Sequence, residues 1–121
     1  MRSTLVALFL LSLCGCTPAP DTGKRVQHWL ETLRSPDARQ RKEAAFKLGN
    51  LGLTDPETIV PALTAALKDN DAAVRCEVIL ALPKCGPAAK DAAASLRELQ
   101  RKDPDAKVRD YAGQALDKIG G

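Results

Sequence analysis

Two cysteines and one histidine carry the chemistry that packing and charge do not account for beyond residue 16: Cys76, Cys85 and His28. The cysteines stand nine positions apart, which is ~13 Å along a helix. A disulfide needs Cα atoms within ~7 Å, so the pair is not expected to bridge. Cys85 falls where two similar segments place Leu51 and Ile119, and reads as a small core side chain. Cys76 falls where they place Lys42 and Asp110, and is expected on the surface. Arg75 beside it would favour the thiolate and Glu77 would oppose that. His28 has no second histidine and reads as a solvated helix-face residue. There is no CxxC, Cys/His cluster, GxSxG, phosphate loop or HExxH. The reading is therefore of a non-enzyme with no catalytic residue, no metal and no cofactor.

The other two cysteines, Cys14 and Cys16, end the stretch MRSTLVALFLLSLCGC. Arg2, the apolar run from Leu5 to Leu13 and the small residues after it have the layout of an export signal. The run is nine residues, and a membrane span needs ~20. Leu13-Cys14-Gly15-Cys16 resembles the lipobox of bacterial lipoproteins. The resemblance implies cleavage after Gly15 and lipidation of Cys16, the contact with the bilayer. Residues 1–15 are then the cleaved signal, and residues 16–24, with TPAPDTG, a Pro-rich tether. Thr17 rather than Asp after the lipidated cysteine leans toward an outer membrane. The expected location is a bacterial cell envelope.

The charge balance excludes one class of partner. Lys and Arg number 18 against 15 Asp and Glu, without the basic stripe that nucleic acid demands. Only Phe9, Trp29, Phe46 and Tyr111 are aromatic, and no aromatic run is interleaved with basic residues to stack bases.

The elements that position these residues repeat. SPDARQRKEAAFKLGNLG from 35, DNDAAVRCEVILALPKCG from 69 and DPDAKVRDYAGQALDKIG from 103 align without gaps at a spacing of 34. Ser35, Asp69 and Asp103 are expected as N-caps, with Pro36 and Pro104 at the first helical position. Asp37, Asp71 and Asp105 then lie in the first turn, each four residues before Arg41, Arg75 and Arg109. Gly52, Gly86 and Gly120 are expected to close each helix in the left-handed conformation. Val74, Val78, Leu82 and Cys85 form an apolar stripe. A second amphipathic stretch precedes each segment: Val26, Trp29, Leu30 and Leu33; then Ile59, Leu63, Ala66 and Leu67; then Ala92, Ala93, Leu96 and Leu99. Pro61 is expected to kink one helix and Pro83 to end another near Leu82.

The fold class is thus all-α: a short α-solenoid of three helix-turn-helix repeats, six helices in all, over about residues 25–52, 53–86 and 87–121. Pro61-x-Leu63, Asp71-x-x-Val74-Arg75, Val78, Leu82, Gly86 and the link GPAAKDA resemble the short bacterial form of HEAT repeats. The period also suits tetratricopeptide repeats, but their Trp, Gly-Tyr and late Pro do not recur. The HEAT resemblance implies that the second helices line a concave face. It also implies that the Asp37, Asp71 and Asp105 column forms a ladder between repeats with Arg41, Arg75 and Arg109.

On the expected concave face the middle position is apolar in two copies, Phe46 and Leu80. With Cys76, and a rim of Lys42, Glu43, Glu77 and Lys84, they form a candidate protein-binding patch. The function expected is a membrane-tethered interaction module or scaffold with a protein partner. Because some HEAT-like proteins attach bilins to apoproteins, a lyase of that kind is the alternative, beside an envelope assembly or stress factor. Export and small size favour the interaction module.

Overall fold

The computed structural model describes residues 21–120. They form α1 (Asp21–Thr32), α2 (Ala38–Asn50), α3 (Pro56–Ala66), α4 (Ala72–Ala81), a 3-10 run (Leu82–Ala92), α5 (Ala93–Lys102) and α6 (Ala106–Ile119). No strand occurs among the described residues. The second helices pack side by side, α2 on α4 and α4 on α6, while on the other side α1 touches α3 and α3 packs against the 3-10 run that leads into α5. The apolar stripes meet between the layers: Leu48, Ile59, Leu63, Val74, Val78, Leu82, Leu96 and Val108 are completely buried. Alternating amphipathic helices therefore give one continuous core, as stacked repeats must.

The caps sit two residues further on than expected. Asp37, Asp71 and Asp105, in extended backbone, are the N-caps. Asp71 accepts from the amides of Ala73 and Val74 at 2.8 and 3.1 Å, and Asp105 from those of Lys107 and Val108 at 2.8 and 3.1 Å. Pro36 and Pro104 consequently precede the cap instead of opening the helix. An Asp two residues further back does not reach the first-turn amides. It accepts the amide of the cap residue itself, Asp69 from Asp71 and Asp103 from Asp105, each at 2.9 Å.

Two other expectations change. The signal peptide and Cys16 lie outside the described residues, but the last part of the expected tether does not. Asp21, Thr22 and Gly23 belong to α1, where the carboxylate of Asp21 sits in the first turn and complements the helix dipole. The simple six-helix plan is modified between repeats two and three. Pro83 and Pro87 cannot donate to the helical ladder, so α4 stops at Ala81 and a 3-10 run leads into α5. Pro61, by contrast, lies within α3, which continues as one helix to Ala66.

The glycine column does three different jobs. Gly120 adopts φ 74, ψ 23 and closes α6 as a left-handed cap. Gly86, at φ 74 and ψ −147, breaks the 3-10 run in a region that only glycine enters readily. Gly52 has no positive φ. It is small because a Cβ there would stand 2.6 Å from Cys85 Sγ and 3.0 Å from Cys85 Cα. Gly49, one turn earlier, lets α2 approach Ala81 in the same way: a Cβ at Gly49 would stand 2.8 Å from the Cβ of Ala81. The Gly52→Ala variant should therefore lose about 1–3 kcal/mol through overpacking. Urea denaturation checks this, and Cys85→Ala should restore only part of the loss because the backbone of residue 85 also stands in the way.

Candidate functional site

Each inter-repeat junction is built on one arginine. Arg41, on the second turn of α2, donates from Nε to Asp69 Oδ2 at 2.8 Å and from Nη2 to Asp69 Oδ1 at 3.1 Å. Its Nη1 donates to the carbonyls of Ser35 and Pro36 at 2.9 and 3.1 Å. Arg75 repeats the arrangement, with both bonds to Asp103 at 2.9 Å and a third to the Asp69 carbonyl at 2.9 Å. A planar guanidinium is suited to this two-pronged grip, which a lysine cannot reproduce. The arginines thus cross to the next repeat instead of pairing with Asp37 or Asp71 four residues back. Those carboxylates are already committed to the amides of their own helices. The ladder runs through Asp69 and Asp103, the column first read as caps.

Burial raises the carboxyl of Asp69, but the opposing effects are stronger together. The hydrogen bond from Arg41, the amide of Asp71 and the charges of Arg41 and Arg75 hold it below the ordinary carboxylate value.

The second-helix face carries the residues of the candidate patch. Phe46 is 43% exposed and Leu80 41%, the two large apolar residues that face solvent within helices among the described residues. Lys84 reaches back from the 3-10 run, with Nζ 4.9 Å from the Phe46 ring centre and 3.3 Å from Asn50 Oδ1. A shallow depression beside Phe46 is lined by Arg39, Lys42, Glu43 and Glu77. An adjoining one is lined by Lys42, Cys76, Glu77, Leu80, Lys107 and Tyr111. Lys42 and Glu77 belong to both, so Phe46, Leu80, Cys76, Lys42, Glu43 and Glu77 are brought onto one continuous surface, with Lys84 over Phe46.

Tyr111 was missing from the expected patch. It follows the polar Asp110 in the third copy and occupies the column of Glu43 and Glu77, so its signal lay one position off the column being compared. Lys107 lies over its ring at 5.5 Å.

The cysteines have no nucleophilic setting. Cys85 is 1% exposed, in the core, as its column suggested. Cys76 is half-buried and packs against the core, a correction to the surface position expected from Lys42 and Asp110. Burial pushes its thiol up, and Asp105 of the next repeat adds to that, while Lys107 and Arg75 pull the other way without reversing it. The opposing carboxylate is Asp105, not Glu77. His28 is exposed and stacks edge-on against Trp29 at 4.7 Å. Trp29 itself is partly buried against the core. Among the described residues no three His, Cys, Asp or Glu side chains are grouped to hold a metal ion. No helix among them is long and apolar enough to cross a membrane.

A family model described as HEAT repeats matches residues 26–117. No curated protein matches the chain.

Asp69 sets a pH dependence. Its carboxyl is held below its unfolded value, so it stabilises the fold only while ionised. The contribution is complete above the unfolded value of about 3.9, and is lost as pH falls through the lower folded value. Wild type should therefore lose more stability than Asp69→Asn between about pH 4 and pH 2, read as melting temperature against pH.

Proposed function

The chain belongs to the HEAT-repeat family, and on that premise we propose that it is a protein-binding module held at a bacterial cell-envelope membrane by a lipid on Cys16. HEAT repeats generally mediate protein–protein interaction. The observation that carries the reading here is the second-helix face, where Phe46 and Leu80 stay 43% and 41% exposed beside the half-buried Cys76 and Tyr111. Exposed apolar residues grouped with a charged rim are typical of a surface that another protein covers. An aromatic and an aliphatic anchor supply the affinity, and Lys42, Glu43, Glu77 and Lys84 select the partner by charge.

The anchor rests on the sequence alone. The LCGC stretch, with its preceding apolar run, is the signal for it. Several acyl chains at ~0.8 kcal/mol per buried CH₂ would hold the protein at a bilayer durably. The domain would then act as a scaffold that presents its patch close to the membrane surface.

In-cell cross-linking with mass spectrometry tests both parts. The Phe46→Ala, Leu80→Ala double variant should keep its helical circular dichroism and lose cross-links to its main partner by at least about tenfold, the scale of a two-residue hot spot. Retention of every cross-linked protein would refute the patch. Cys16→Ser should move from the membrane to the soluble fraction, and its persistence in membranes would refute the anchor.

A further inference from the structure

The two junctions between repeats use the same arginine fork, but only one fork is filled. Arg41 makes five hydrogen bonds: Nε and Nη2 hold Asp69, Nη1 donates to the carbonyls of Ser35 and Pro36, and Nη2 donates also to Asn70 Oδ1 at 3.3 Å. Arg75 makes three, two to Asp103 and one to the Asp69 carbonyl. Where the first junction has Asn70, the second has Pro104, whose side chain holds no acceptor. A guanidinium carries five N–H donors. Among the described residues, one N–H on Nη1 and one on Nη2 of Arg75 therefore have no acceptor. Neither nitrogen is stranded, because each keeps one partner. Arg75 is only 9% exposed, so bulk water satisfies these two donors poorly.

Arg75 and Pro104 both line a cleft of about 320 Å³ between the end of α3 and α5. That volume lies at the small end of the ~300–1,000 Å³ typical of ligand sites. Leu67 and Leu99 give the cleft its apolar wall. Ser95 adds a half-buried hydroxyl that has no partner among the described residues. Three carboxylates also line it, and each is engaged: Asp69 by Arg41, Asp103 by Arg75, and Glu98 by Lys102 at 4.0 Å. Lys68, exposed at the rim, has no carboxylate partner among the described residues. It is the lining charge left without a counter-ion.

We propose that this cleft binds a carboxylate borne on a short aliphatic group. Open N–H groups on two nitrogens of one guanidinium match the two oxygens of a carboxylate, and such charge-assisted bonds are roughly twice as strong as neutral ones. Lys68 supplies the positive charge, since that of Arg75 is shared with Asp103. Leu67 and Leu99 pack on the aliphatic part. The fold already fixes Arg75 through Asp103 and the Asp69 carbonyl, so little side-chain freedom is lost on binding. Two sources carry this chemistry, a free branched-chain acid and the C-terminal residue of a polypeptide. The cleft shares no residue with the Phe46 and Leu80 surface, so the inference stands apart from the function proposed above.

The test uses the whole chain labelled with ¹⁵N, titrated with isocaproate as the free acid and with acetyl-alanyl-leucine as the chain terminus. The Arg75 Nε–H resonance and the amides of Lys68 and Leu99 should shift and saturate, and the tighter probe identifies the source. The carboxamide of that probe keeps its shape and loses its charge, and should bind at least about fivefold more weakly. Pro104→Asn restores the acceptor that Asn70 provides at the first junction. It should weaken binding by about tenfold, the scale of one hydrogen bond to a charged group. The variant should melt no lower than a few degrees below wild type, which separates lost binding from lost folding. Lys68→Gln, a change on the exposed rim, should also weaken binding and leave the melting temperature in place. The absence of a saturable shift with both acids, equal affinity for acid and carboxamide, or unchanged affinity in Pro104→Asn would overturn the inference.

Discussion

Asp103 accepts three hydrogen bonds at once: two from Arg75 of the preceding repeat and one from the amide of Asp105, which in turn caps α6. The pair is almost withdrawn from solvent, with the two residues 9% and 6% exposed. Burying two charges costs several kcal/mol each unless geometry and hydrogen bonding compensate. Here the compensation is complete, and no buried side-chain polar atom among the described residues lacks a partner. The same carboxylate that fixes where a helix starts also fixes where the previous repeat sits. Helix initiation and repeat register are therefore one event, performed at Asp69 and again at Asp103.

That coupling explains how the second-helix layer can be spared for recognition. Register is set at the helix starts by arginine forks, and close approach at the helix ends by Gly49 and Gly52 against Ala81 and Cys85. The middle of the layer need not contribute polar contacts to hold the stack. Phe46 and Leu80 can remain outside the core because Leu48, Val74 and Val78, on the opposite side of the same helices, supply it. Fold and candidate function thus occupy different faces of the same three helices.

Much of this was legible in the sequence. The 34-residue spacing, the apolar stripes and the turn residues placed the helix pairs, and Pro83 marked where α4 ends. The pairing of charges was not legible in the same way. Asp-x-Asp offers two carboxylates to an arginine, and spacing alone favours the one four residues away. The backbone decides otherwise, since the second Asp is consumed by the amides of its own helix and the first is left facing the neighbouring repeat. Gly52, Gly86 and Gly120 likewise share a column but answer to a close contact, a break and a left-handed cap. A one-dimensional pattern cannot separate these causes. Cys76 was misplaced because its column neighbours, Lys42 and Asp110, are surface residues, while its own position sits in the seam between α4 and α6.

The claim that the arginine fork holds neighbouring repeats in register is measured most directly by a double-mutant cycle. Arg75→Met, Asp103→Asn and the combined variant would be compared with wild type by denaturant unfolding. Contacting partners in a buried network should show a coupling of about 1–3 kcal/mol, with each single change costing more than its share of the double. A coupling near zero would contradict the account and would mean that the apolar core alone sets the register.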